Sequence, residues 1–223
     1  MKMRNTRHWS MNLLIAITLT LTGAQVAARC YDEASGRGSE AMSLADRVGW
    51  TAREFVRLRP PLHREDCSGL VEAVLAQSGV LQQGSVRSFW AQAVAEHRAY
   101  RGAAPQPGHL AFFDYTYDAN HNGVADDILT HVGIVTAVDD EGTVQVVHRP
   151  RGGIRTLQLN LRQPETHRQG ERVLNDFVRA PGYGPREGRR LAGQLVYGFA
   201  APPAPMLPMP CTCAPVLTAN SVR

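Results

Sequence analysis

Three segments in the first half of the chain repeat hydrophobic residues at the spacing of an amphipathic helix. They run from Glu40 to about Phe55, from Cys67 to a stop at Gly79, and from Ser85 to about Arg98. The sequence Arg59-Pro60-Pro61 ends the first segment, because proline cannot continue a helix. The pattern therefore predicts three helices, and it places the Phe89–Trp90 pair of the third helix in the core rather than at a substrate surface.

The second half of the chain replaces this spacing with short runs of β-branched and aromatic residues between turn residues. These runs predict strands at His109–Asp114, His131–Val138, Thr143–His148, Ile154–Leu161, Val173–Val178 and Leu191–Ala200. Helices followed by antiparallel strands are typical of an α+β domain.

The two ends of the chain have a different character. Three basic residues precede the apolar run Met11–Leu21, and small residues follow up to Ala28, which is the pattern of a cleaved secretory signal peptide. The apolar run is short for a membrane span, so we favour cleavage near Ala28 over an uncleaved anchor. The sequence thus predicts a signal peptide, one domain and a proline-rich tail, at residues 1–28, 29–200 and 201–223.

Composition and charge narrow the possible functions. Hydrophobic residues make up 43% of the chain and charged residues 20%, as in an ordinary globular protein. Loss of three basic residues with the signal peptide would lower the formal net charge from +4 to +1. No basic run with interleaved aromatic residues is present, so nucleic acid is not an expected partner. We expect a periplasmic or secreted protein, monomeric and without a stable membrane span after cleavage.

Four cysteines have an uneven distribution along the chain. Cys30 lies near the mature N-terminus, and Cys211 and Cys213 lie near the C-terminus. One disulfide between the two ends would suit an oxidising compartment, although the pairing of these three cysteines stays open. We expect Cys67, in the middle of the chain, to remain reduced.

Cys67 has the sequence context of a nucleophile. Asp66 can act as the N-cap of the following helix, which puts Cys67 in the first turn. There the helix dipole and the unpaired N–H groups favour the thiolate, and the Cys67 N–H can stabilise an oxyanion. We expect Asp66, Ser68 and Gly69 to line the substrate or oxyanion site, with Gly69 leaving room for a substrate chain.

Two histidines complete this candidate site. If Val138 pairs with Thr143 in a hairpin, His148 lies opposite Gly133, and His131 is on the same face as a diagonal neighbour. A slip of one residue would place the two rings on opposite faces. The sequence then assigns Cys67 as nucleophile, His131 as general base and acid, and His148 as the group that orients His131.

A loop before His131 has spacing suited to a hard cation. Oxygen-bearing side chains alternate before Gly123, although the position of the bidentate glutamate of an EF-hand is Leu129. Catalysis requires no cofactor in this scheme, and a calcium ion would be structural. Its expected ligands are Asp118, Asn120, Asn122, the Val124 carbonyl, and Asp126 or Asp127.

Four motifs in order resemble those of the NlpC-type cell-wall peptidases, which are papain-like cysteine peptidases close to the CHAP amidases. They are Asp66–Val71, Pro107–Phe113, His131–Val135 and Val147–His148. The resemblance covers Glu40 to Val178. It implies a papain-like fold with helices packed on an antiparallel sheet, and hydrolysis of a peptide bond in bacterial peptidoglycan, typically between γ-D-glutamate and a diamino acid.

Two positions depart from that family pattern. His109 stands where the family usually has aspartate, and Tyr115–Thr130 resembles an insertion that could remodel the cleft. Several functions therefore remain open beside the peptidase. They are an N-acetylmuramoyl-L-alanine amidase or acyl transferase on the same scaffold, a toxin delivered to a rival cell, and a non-catalytic, calcium-stabilised secreted binding module.

Overall fold

The computed structural model describes residues 42–179 and 190–204 of the chain. The predicted signal peptide, the three terminal cysteines and most of the proline-rich segment lie outside these residues, and the predictions made for them stay predictions. The described part of the chain contains no helix with the length and apolar character that a membrane span requires.

Three helices form where the hydrophobic spacing predicted them. They are α1 (Leu44–Leu58), α2 (Cys67–Gln77) and α3 (Val86–Ala95). Each begins at a side chain that accepts a free backbone N–H group: Ser43, Asp66 and Ser85, respectively. Helix α1 ends at Leu58. Its C-cap residue, Arg59, has a left-handed φ of 48° and is followed by the two prolines.

The strands that follow are β1 (Ala99–Tyr100), β2 (Leu110–Phe113), β3 (His131–Val138), β4 (Thr143–His148), β5 (Arg155–Asn160), β6 (Arg168–Gln169), β7 (Arg172–Val173) and, after the one-turn helix α4 (Ala192–Leu195), β8 (Val196–Ala200). Six of them form an antiparallel sheet in the order β1-β8-β2-β3-β4-β5, and β6 pairs with β7 separately. The architecture is the predicted α+β class.

Both faces of the central strands are buried, which explains why β2 has four apolar residues in a row. Phe112 contributes to the core cluster that includes residues of the three helices, whereas its neighbours Ala111 and Phe113 face a second cluster with residues of β5 and α4. Phe89 is buried, and Trp90 packs edge-on against Phe112 with ring centroids 5.1 Å apart. This agrees with the predicted core role of the aromatic pair.

Two predicted strands near the C-terminus are wrong in part. Only the start of the Val173–Val178 segment is a strand, in the β6–β7 hairpin. The first residues of the Leu191–Ala200 segment form helix α4, because the Gln194 side chain accepts the Leu191 N–H at 3.2 Å and closes a helical turn. Strand β1 was not predicted, since two residues carry no measurable periodicity.

Candidate active site

Helix α2 places Cys67 at its first position. Asp66 is the N-cap, and its carboxylate accepts the Gly69 N–H at 2.7 Å, as the sequence predicted. Cys67 is a free, partly exposed thiol. The start of α2 therefore presents a sulfur atom beside a backbone N–H group that no intrahelical bond uses.

The surroundings of this sulfur differ from the expectation for a helix start. Burial raises the pKa of the Cys67 thiol, because the thiolate would lose its hydration, and the nearby Asp66 carboxylate raises it further. Hydrogen bonds from the Val132 backbone and from Ser68 lower the pKa but do not offset the burial. The expected preference for the thiolate is therefore wrong for the resting protein. The hydrogen bond with the Val132 backbone places the sulfur against β3, at the residue that follows His131.

The β3–β4 pairing brings the two histidines together by a route that the sequence did not show. His148 pairs with Gly133, as predicted. Near the turn, however, Val138 pairs with Val144 rather than with Thr143. A β-bulge at Thr136 absorbs the extra residue, and Arg53 of α1 donates to the Thr136 carbonyl at 2.8 Å. The bulge thus restores the register at the histidine end.

His131 and His148 form a buried hydrogen-bonded pair. Nε2 of His131 lies 2.9 Å from Nδ1 of His148, and each side chain is 8% exposed. Burial lowers the pKa of His131 to about 4. Burial lowers the pKa of His148 to about 3, with further contributions from His131 and Arg155. Both rings are therefore neutral near pH 7, and one of them donates to the other.

A single open cavity of about 1020 Å³ contains these groups. Cys67, Ser68, His131 and His148 all line it, and so does Asp66. Gly69 is not among the lining residues. A Cβ atom at position 69 would lie 1.9 Å from the Arg64 carbonyl oxygen, so this glycine allows close packing of the preceding loop rather than the approach of a substrate.

The predicted insertion forms one wall of this cavity. Thr116 and Tyr117 line it from the start of the insertion, and residues 127–130 line it from the end. The Leu129 N–H donates to the Asp114 carboxylate at 2.7 Å. The buried guanidinium of Arg179 lies 3.4 Å from the carbonyl oxygens of Tyr115 and Ala125. The cleft is thus shaped by a segment that is fixed at its base.

The candidate cation loop uses its oxygens on its own backbone. Asp118 accepts the N–H groups of Asn122 and Gly123, at 3.1 and 2.8 Å. Asp127 accepts the N–H groups of Ala119 and Asn120, and its other oxygen faces Arg87. Among the described residues there is no group of three or more His, Cys, Asp or Glu suited to a metal ion. Both oxygens of Asp127 thus already have partners. Of the two aspartates that could complete the calcium ligands, Asp126 is then the better candidate.

Two polar contacts near the site were not predicted. Arg149, directly after His148, donates to the carbonyl and the carboxylate of Glu65 and so ties the end of β4 to the loop before Cys67. His109, where the family pattern has aspartate, lies 2.5 Å from the Tyr100 hydroxyl and is not among the cavity residues. Neither contact has a sequence signal, because each depends on the path of the chain between its two residues, which are 84 positions apart in the first pair and 9 in the second.

The low pKa values of the two histidines predict acid sensitivity. Below pH 6.5, the ordinary histidine pKa, these histidines become protonated in the unfolded chain. In the folded chain His131 stays neutral until the pH falls to about 4. The contribution of the two neutral histidines to the free energy of unfolding is therefore fully present above pH 6.5. It falls by on the order of a few kcal/mol as the pH drops toward 4. Urea unfolding across this range should show the loss.

The matched variants are His148→Gln and, as a control, the exposed His63→Gln. His148→Gln should reduce the dependence of the free energy of unfolding on pH, and His63→Gln should leave it unchanged. An identical dependence in wild type and His148→Gln would show that the pair does not resist protonation.

One of three comparisons with known proteins found a similarity, and it concerns the part of the chain that contains the cavity residues around Cys67. The family model described as the CHAP domain matches residues 60–149, a range that includes Cys67, His131 and His148. CHAP domains are generally hydrolases with amidase or peptidase activity on peptidoglycan. Searches of curated proteins and of solved structures found no significant match. Residues 60–149 are therefore similar to the CHAP domain family, and the helices packed on an antiparallel sheet are compatible with its papain-like class and consistent with a CHAP-like cell-wall peptidase.

Proposed function

We propose that this protein is an exported thiol hydrolase that cleaves an amide bond of bacterial peptidoglycan, with Cys67 as nucleophile, His131 as general base and acid, and His148 as orienting group. The observation that carries the proposal is the 2.9 Å bond between His131 and His148 in a cavity that also contains the Cys67 thiol. The predicted signal peptide supports action in the periplasm or outside the cell.

The hydrogen bond fixes which nitrogen of His131 can act on the sulfur. If Nε2 of His131 carries the proton and donates to Nδ1 of His148, Nδ1 of His131 keeps a lone pair. That nitrogen is then the base for the thiol. His148 stays neutral, accepts through Nδ1, and holds the His131 ring in one tautomer.

The raised pKa of the thiol indicates a neutral resting pair rather than a preformed ion pair. The proton moves from the sulfur to Nδ1 of His131 as the sulfur attacks the carbonyl carbon. The oxyanion forms beside the Cys67 N–H, and the imidazolium returns the proton to the departing amine. Water then attacks the thioester with His131 again as base, which releases the acid and restores the thiol.

Substitutions at the triad should separate catalysis from folding. Cys67→Ser and His131→Ala should each lower the rate of cleavage of purified wall fragments by at least about 10³-fold. His148→Asn, which keeps an acceptor for His131, should retain more activity than His148→Ala. Mass spectrometry of the products measures the rate and identifies which bond is cut, including whether it is the peptidase or the amidase bond.

His63→Ala is the matched control, because this exposed histidine is not among the cavity residues. It should keep wild-type activity. Equal activity of wild type and Cys67→Ser, with both folded by circular dichroism, would remove Cys67 from the mechanism and favour a non-catalytic wall-binding module.

A structural calcium ion in the 118–127 loop is a second part of the proposal. The side-chain oxygens of Asp118, Asn120 and Asn122 all accept N–H groups from within the loop, which turns at Gly123 with a φ of 88°. A carboxylate or amide oxygen that accepts one N–H group keeps a further lone pair, and a hard cation prefers such oxygen ligands.

Calcium should raise the melting temperature of wild type by a few degrees relative to EGTA, because the ion binds only the folded loop. Asp118→Asn should abolish this difference, and Asp140→Asn, in the β3–β4 turn, should keep it. No calcium-dependent shift in wild type would show that the loop is stabilised by its own hydrogen bonds alone.

A further inference from the structure

Arginine is the most frequent charged residue in the wall of the cavity. Besides the catalytic candidates, it carries the guanidinium groups of Arg64, Arg87, Arg149 and Arg151. Its carboxylates are those of Glu65, Asp66 and Asp127. Since both histidines and the thiol are neutral at rest, these seven side chains set the charge of the cleft.

Three of the four arginines are already engaged. Arg149 binds Glu65, and Arg64 lies 3.1 Å from the Asp66 carboxylate and 3.3 Å from that of Glu72. Arg87 faces Asp127 at 3.8 Å. These pairs hold the loops around the cavity, and they leave little free charge for a ligand.

Arg151 differs from the other three. Among residues 42–179 and 190–204, no carboxylate forms an ion pair with it, and its side chain is exposed at the cavity rim. It lies in the turn closed by the Gly153 N–H and the Pro150 carbonyl at 3.1 Å. The contact between Arg149 and Glu65 fixes the chain two residues earlier. Arg151 is therefore a free cation on an anchored segment, three residues after His148.

The N-terminal ends of two helices also favour an anion in the cleft. Helices α2 and α3 both begin at the cavity, which Cys67 and Val86 line as their first residues. Their N-terminal ends carry positive partial charge. An anionic substrate would nevertheless meet the Asp66 carboxylate and the thiolate that forms during attack, so a cation is needed to offset their repulsion.

We propose that Arg151 binds a free carboxylate of an acidic peptide substrate, next to the amide bond that is cut. This inference rests on the proposed function and adds its substrate class: the cleft selects peptides that carry a free carboxylate beside the cleaved bond over those in which that group is amidated. The planar guanidinium can make two parallel hydrogen bonds to a carboxylate and none of equal strength to a carboxamide.

The test uses two blocked synthetic peptides that differ only in a free α-carboxylate or an α-carboxamide on the γ-linked glutamate. Wild type should cleave the acid with a kcat/KM about tenfold above that for the amide. This factor is at the lower end of the range for a charge-assisted hydrogen bond, because Arg151 is exposed to solvent. Arg151→Gln should lose this preference, because the substitution lowers kcat/KM for the acid peptide and leaves that for the amide peptide unchanged. Arg151→Lys should keep part of it.

Arg168→Gln is the matched control, because this exposed arginine of β6 forms no ion pair among the described residues and does not line the cavity. It should preserve the wild-type preference. An unchanged preference in Arg151→Gln, or no preference in wild type, would overturn the inference.

Binding to the inactive Cys67→Ala variant separates this inference from the proposed chemistry. Calorimetry should show about tenfold tighter binding of the acid than of the amide, and the additional substitution Arg151→Gln should remove the difference. If wild type cuts neither peptide but this binding difference is present, the chemistry fails and the carboxylate site stands. Equal binding of the two peptides, or binding of neither, would refute the site.

Discussion

The hydrogen bond between Nε2 of His131 and Nδ1 of His148 is the constraint on which the candidate site depends. It is made inside the protein, where neither ring can hold a charge near pH 7. Because one neutral ring must donate and the other accept, the direction of this bond decides on which ring nitrogens the remaining lone pairs lie. A buried pair of this kind carries no charge at rest, and burial disfavours its protonation unless a negative charge forms beside it.

The fold brings these rings and the sulfur together from three separate segments. Helix α2 supplies the sulfur at its first residue, β3 begins with His131, and β4 ends with His148. Two contacts hold this geometry from outside: Arg53 at the bulge in β3, and Arg149 between the end of β4 and Glu65. Arginine is suited to both positions, since its charge persists and its several donors can reach carbonyl and carboxylate oxygens together.

Local patterns predicted more than long-range ones. The N-cap at Asp66, the three helices and the main strands follow from spacing and turn residues. The pairing of His148 with Gly133 was predicted from a turn register that is wrong by one residue, and the bulge at Thr136, which alternation cannot reveal, corrects it. The raised pKa of Cys67 was missed because it depends on packing against β3, which is distant in the sequence. The role of Gly69 was missed because it depends on the Arg64 carbonyl, which lies outside the Asp66–Val71 motif.

The most direct test of this account is the protonation of the two imidazole rings in solution. Long-range ¹⁵N–¹H correlation spectra of the labelled protein near pH 7 report the tautomer of each ring. We predict two neutral rings, both with the proton on Nε2, so that Nδ1 of His131 is unprotonated and can act as the base. An imidazolium at either position, or a proton on Nδ1 of His131, would contradict it.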